Sequence, residues 1–200
     1  MPILEDAERA VEAVTGWARP DRQALHAVAS RRKPHLFRFK DDGETPNHPK
    51  WPLVLYRSPV ALRKGVDPAA VLEDLFAANG WKDSWRDGVY DFLHFHTHAH
   101  EVLGIARGRV RIQFGGARGR RLDLKAGDVV VLPAGTGHRR IDASRDLLVV
   151  GAYPGSSGRY DQPGPKDVDH ARAVRAVSRV PAPKADPVYG RTGPLVEQWR

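Results

Sequence analysis

Four of the nine histidines, His94, His96, His98 and His100, stand at alternate positions, and a carboxylate, Glu101, follows directly. Imidazole is the commonest side-chain metal ligand. On an extended segment every second side chain shares a face, so a straight strand would line all four rings along one side. Two histidines two apart can turn their rings onto a single ion. The flanking Phe92, Leu93, Val102, Leu103 and Ile105 are apolar and mark the run as sheet core rather than solvated loop. Downstream, Val129 to Leu132 reads as a buried strand and Pro133 to Gly137 as a turn. His138 stands just beyond that turn, as a candidate final ligand. The chain has no cysteine, so disulfides are excluded and a metal must be held by nitrogen and oxygen.

The two stretches resemble the paired motifs of the cupin superfamily. The first motif is glycine, five residues, His-x-His, three or four residues, glutamate, six residues, glycine; Gly88, His94, His96, Glu101 and Gly108 fill every place. The second is glycine, five residues, Pro-x-Gly, two residues, histidine, three residues, asparagine. Gly127, Pro133, Gly135 and His138 fill it, with Asp142 in the asparagine's place. Asp-Asp-Gly-Glu-Thr-Pro-Asn at 41–47, Asn-Gly-Trp at 79–81, Gly-Ala-Tyr-Pro at 151–154 and Asp-Pro-Val-Tyr-Gly at 186–190 are similar, more narrowly, to the YjlB-like bacterial single-domain cupins. The resemblance spans roughly residues 35 to 199. It implies that His94, His96, Glu101 and His138 hold one divalent transition metal, among Fe, Mn, Co, Ni, Cu and Zn. Such a set is poor for Ca or Mg. It also implies a jelly-roll barrel and a homodimer.

Glu101 lies five residues after His96, an odd offset, and a straight strand would turn it away from the histidine face. It joins the set only where Thr97 to His100 bulges or loops out. The rival set takes His98 or His100 in its place. Outside the set, those two histidines would support the ligands by hydrogen bonds or be solvated. Tyr153, at a strand end, is either a pocket hydroxyl or a buried tyrosine with its hydroxyl satisfied. Gln113 alternates against Val110, Ile112 and Phe114, and so points into a cavity or into water. Tyr90 and Phe92 share the histidine face of a regular strand and would form pocket wall. Trp81 and Trp85 read as core or loop packing.

These side chains need a scaffold. Ile3, Ala7, Ala10, Val11, Val14 and Trp17 recur at helical spacing and predict a helix over 3–18; Pro20-Asp21 stops it and opens a second over 22–30. Short strands are expected at 35–40 and 51–57. Asp67-Pro68 opens a helix that runs to Ala78 and ends at Asn79-Gly80. From Tyr90 onward, strands are expected at 90–96, 101–106, 109–114, 120–124, 128–132 and 147–153, separated by glycine and proline turns. Seven prolines between Pro154 and Arg200 leave room for one short helix, over 168–177. The fold class is therefore mainly β, and the resemblance makes it a cupin-type double-stranded β-helix. Residues 1–34 form an N-terminal helical appendage, 35–155 the barrel, and 156–200 a C-terminal extension packed on it.

No run approaches the roughly 20 apolar residues of a membrane span, and the acidic N-terminus lacks a signal-peptide core. A cytoplasmic protein is expected. The net charge of +8 is dispersed in short clusters with no nucleic-acid-binding motif, so it favours anionic small molecules over nucleic acid. Residues 1–30 are too short for a helix-turn-helix regulator. Two readings stand. One is a metal-dependent enzyme of dioxygenase, isomerase, decarboxylase or lyase type acting on a small polar or anionic molecule. The other is a metal-bearing binding or sensor protein without turnover.

Overall fold

The computed structural model of the protein describes residues 25–155 and 161–200. Among them, nine strands form two antiparallel sheets: β1 (His35–Phe37), β2 (Leu53–Tyr56), β3 (Trp81–Asp87), β4 (Glu101–Arg107), β5 (Arg109–Phe114), β6 (Arg120–Lys125), β7 (Val129–Leu132), β8 (His138–Ala143) and β9 (Leu148–Pro154). The larger sheet runs β1-β2-β7-β4-β9-β3 and the smaller β6-β5-β8. They face each other as a jelly roll.

The two sheets read differently in sequence because they are buried differently. In β2 and β7 all four residues are buried. Leu53, Leu55, Leu103, Ile105, Val130 and Leu132 point between the sheets, where Val110, Ile112, Phe114, Leu122 and Leu124 meet them. Val54, Tyr56, Val102, Val129, Val131 and Val150 point the other way, into a second core. A sheet covered on both faces reads as continuous apolar runs. In the smaller sheet, β6 alternates Leu122 and Leu124 with exposed arginine, aspartate and lysine, because one face meets water.

The second core is closed by helix α1 (Pro68–Ala78), started by the Asp67 side chain accepting from the Ala69 amide. Leu72 and Phe76 settle so close to β4 that a Cβ on Gly104 would lie 2.9 Å from Phe76 Cζ. Arg86 of β3 binds both Glu73 and Asp67 and ties helix to sheet. Two further helices, α2 (His170–Val177) and α3 (Pro194–Gln198), lie in the C-terminal segment. That segment puts Val188, Leu195 and Trp199 into the same core, and the Trp199 indole donates to the Pro52 carbonyl.

The helix expected over 3–18 lies outside the described residues; of the one expected over 22–30, Leu25–Val28 is a 3-10 turn. Residues 90–96 do not form a strand, except for one bridge between His94 and His138. They belong to the connection from β3 to β4, both in the larger sheet, and run beside β8, where the Arg140 amide donates to the Tyr90 carbonyl. The strands β3 and β8 were not expected, because their residues are mostly polar: β3 is a sheet edge and β8 lies in the smaller sheet. Among the described residues no helix is long and apolar enough to cross a membrane.

Candidate metal centre

The two motif stretches meet through their backbones. His94 donates its amide to the His138 carbonyl at 3.2 Å, and His138 donates to the His94 carbonyl at 2.9 Å. One turn further, Gly135 donates to the His96 carbonyl at 2.7 Å. Asn47 clamps the turn before His138: its amide donates to the Gly135 carbonyl, its side-chain nitrogen to the Lys40 and Gly115 carbonyls, and its side-chain oxygen accepts from Gly137. His138 opens β8 and Glu101 opens β4, so both stand at strand ends facing the inter-sheet space.

The loop of residues 97–100 resets the side-chain alternation. Glu101 therefore joins Leu103 and Ile105 on the inward face. Its Oε2 lies 3.3 Å from His96 Nε2 and 3.3 Å from His138 Nε2. Ring nitrogens of His94, His96 and His138 all lie within 4.8 Å of one another, and all three residues are buried. His94 Nδ1 donates to the Phe92 carbonyl, His138 Nδ1 to the Thr136 carbonyl and His96 Nδ1 to the Asp161 carbonyl. Each Nδ1 then carries the proton, and each Nε2 offers a lone pair inward.

The electrostatics suit a cation. Neither Glu101 Oε2 nor His96 Nε2 has a hydrogen-bond partner, although both are buried. Two buried lone-pair atoms facing one another are costly unless a proton or a cation sits between them. Burial works against a charged His96, but the Glu101 carboxylate outweighs it and the pKa lies above the ordinary value. Burial likewise pushes Glu101 up, while His96 and His138 pull it below the usual carboxylate range. His94 is lowered to about 3, by burial first and then by His138. Neutral imidazole and ionised carboxylate are the forms that bind metal. Three nitrogens and one oxygen fit a divalent transition metal.

A cavity of about 210 Å³ opens on His94, Glu101 and His138, with Trp85, Val89, Tyr90, Leu103 and Gln162 among its walls. Tyr90 lines it while remaining 47% exposed; Phe92, 50% exposed, stacks on Tyr90 and stands at the rim rather than in the wall. Tyr153 is buried, and its hydroxyl donates to Glu101 Oε1 at 3.1 Å. Gln113 is spent elsewhere: its nitrogen donates to the Gly116 and Ala117 carbonyls and its oxygen accepts from Arg139. It stands on the outer face of β5, not in the cavity, because Phe114 and Ile112 take the inward positions. His98 is exposed and bonds to Thr97. His100 points away from the site; its Nδ1 accepts from Ala134, its Nε2 donates to the Pro181 carbonyl, and Trp51 and Trp199 surround it.

Asp161 went unrecognised in the sequence. Its carbonyl orients His96, and its carboxylate accepts from the Thr97 amide and hydroxyl. No local pattern marks a carbonyl that serves a ring 65 residues away. Asn47 lay inside a noted motif, and its φ of 44°, tolerated better by asparagine than by most residues, is the signal that it holds a special turn.

No protein-family model matches the chain. It is 38% identical to the uncharacterized protein YjlB of Bacillus subtilis (strain 168) over 168 residues, 84% of this chain and 98% of that one. Among solved structures it is similar to an acireductone dioxygenase from Bacillus anthracis with a cadmium ion in its active centre, at 15% identity and a TM-score of 0.36 over 55% of this chain and 82% of the other. A mutant of Bacillus subtilis oxalate decarboxylase matches at 18% identity and a TM-score of 0.34, over 57% of this chain and 28% of that chain. An 11S globulin from Wrightia tinctoria matches at 15% and 0.35, over 48% and 30%. The chain thus spans less than a third of the decarboxylase and globulin chains.

Proposed function

The chain belongs to the family of Bacillus subtilis YjlB, and from that premise we propose that it is a mononuclear metal-dependent enzyme acting on a small polar or anionic molecule. His94, His96, Glu101 and His138 hold the ion. The observation that carries this is the gathering of three buried imidazoles with ring nitrogens within 4.8 Å of one another, a Glu101 oxygen 3.3 Å from two of them, and every Nδ1 proton tied to a backbone carbonyl. A divalent ion there keeps a formal charge of about +1 beside one carboxylate, and supplies Lewis-acid polarisation and a bound water of lowered pKa. The protein supplies the rest. Val89 and Leu103 give the cavity an apolar side, Arg86, Asp87 and Gln162 a polar one, and the Tyr90 ring shapes its mouth. At about 210 Å³ the cavity is below the roughly 300 Å³ at which drug-sized pockets begin, so the ligand is small. Residues 1–34, 35–155 and 156–200 are read as appendage, barrel and extension. The cupin resemblance supports a homodimer and the cysteine-free composition a cytoplasmic setting; light scattering tests the former.

The test has two stages. Elemental analysis of the purified protein should find about one transition metal per chain. Oxygen uptake and product formation should then be measured against a panel of small hydroxy-, keto- and carboxylate metabolites. Metal-dependent turnover of one panel member supports the enzyme. Firmly held zinc with no turnover refutes it in favour of a sensor or storage barrel, and no stoichiometric metal refutes the centre.

A further inference from the structure

The structure assigns to Trp85 and Tyr153 a positioning role: a relay of hydrogen bonds, running from the cavity wall inward, that fixes which oxygen of Glu101 faces the imidazoles. This rests on the metal-centre reading above. The Trp85 indole Nε1 lies 3.1 Å from the Tyr153 hydroxyl, which lies 3.1 Å from Glu101 Oε1. An indole N–H can only donate, so the tyrosine oxygen must accept there. The one hydroxyl proton is then committed to Glu101 Oε1. That leaves Oε2, 3.3 Å from His96 and His138, as the oxygen presented to the centre. The carboxylate offers one oxygen instead of two.

Three features of the scaffold serve this relay. The register between β3 and β9 shifts between Lys82 and Trp85, and Asp83 within the shift has a φ of 53°, rare for a non-glycine residue. Irregularities of this kind re-aim side chains beside active sites. The shift pairs Trp85 with Gly151, where a Cβ would lie 2.1 Å from the indole Cε2. Only a glycine leaves room for that ring. Tyr153 follows two residues later in β9, on the same face. Trp85 also lines the cavity, so a molecule bound there abuts the outer end of the relay.

The test uses the full chain with cobalt(II) as probe, reading affinity by titration and coordination by the d–d absorption spectrum. Tyr153→Phe should weaken cobalt at least about tenfold, the scale on which groups supporting a ligand act. It should also shift the d–d bands as the freed Oε1 approaches the ion. Trp85→Phe keeps a ring over Gly151 but removes the donor, and should shift the bands the same way by less. Circular dichroism reports folding; if Tyr153→Phe does not fold, Trp85→Phe decides alone. A folded Tyr153→Phe, or in its absence Trp85→Phe, with wild-type affinity and spectrum overturns the relay and leaves the metal centre standing. A wild-type chain that takes up no cobalt overturns both.

Discussion

Replacing Glu101 by Gln should cost the metal-loaded form far more stability than the metal-free form. Glu101 is 2% exposed, its Oε1 accepts from Tyr153, and its Oε2 faces two imidazole lone pairs at 3.3 Å. In Glu101→Gln the amide oxygen can keep the Tyr153 bond while the amide nitrogen donates to His96 or His138. The metal-free variant keeps these bonds but gives up the His96–Glu101 attraction that raises the His96 pKa, so it is somewhat destabilised. With metal the loss is larger. Two unit charges about 4 Å apart attract by about 4 kcal/mol at an effective dielectric of 20, and a divalent ion doubles this. Desolvation of the carboxylate offsets several kcal/mol. A net loss of about 3 kcal/mol is a roughly 100-fold weaker Kd. With metal at about 1,000 times the wild-type Kd, binding stabilises the wild type by about 4 kcal/mol and the variant by about 1.4 kcal/mol. At roughly 3 °C per kcal/mol, Tm should rise by about 12 °C in the wild type and about 4 °C in the variant. Calorimetry with and without metal reads both arms. Equal metal-induced shifts in wild type and variant would refute the reasoning.

Three further outcomes follow from the same coordinates. His98→Ala should leave metal affinity within about twofold, since the ring is exposed, whereas His100→Ala should keep metal but cost about 2–4 kcal/mol in urea unfolding, because a buried ring and two hydrogen bonds are lost; a large loss of metal in either variant contradicts the assignment. Asn47→Ala should destabilise by about 2–3 kcal/mol, as the Lys40 and Gly115 carbonyls lose their donor and Gly137 its acceptor; a change under about 0.5 kcal/mol would show that the clamp is dispensable. Burial lowers His48 to about 4 with help from Lys50, and lowers His94 and His100 to about 3. The unfolded chain protonates all three first, near pH 6.5, so their stabilisation is complete above that value and is lost as pH falls toward the folded pKa values. His96, raised by Glu101 against burial, acts oppositely: its contribution is full below about pH 6.5 and disappears as pH rises through its folded pKa. Urea midpoints of the metal-free protein between pH 7 and 4 should therefore report uptake of roughly two to three protons on unfolding; a flat profile would refute the burial of these rings.

The sequence by itself carried whatever depends on local spacing. The apolar runs Leu53–Tyr56 and Val129–Leu132 and the Asp67-Pro68 start of α1 were legible because burial on two faces and helix capping leave short-range marks. His94, His96, Glu101 and His138 stood out by type and interval, though the odd offset of Glu101 left it in competition with His98 and His100. Tertiary structure placed these side chains: a loop at 97–100 turns Glu101 inward beside His96 and His138 and sends His100 toward Trp199, and loop conformation depends on what packs around it. The polar strands Trp81–Asp87 and His138–Ala143 were invisible for the same reason, since an edge or half-solvated strand is held by its neighbour's backbone and not by its own side chains. Asn47, Trp85, Tyr153 and Asp161 reach the site from four distant segments. Their roles are hydrogen bonds across 52 to 90 residues of chain, which no interval in the sequence encodes and only the closed barrel brings within 3.5 Å.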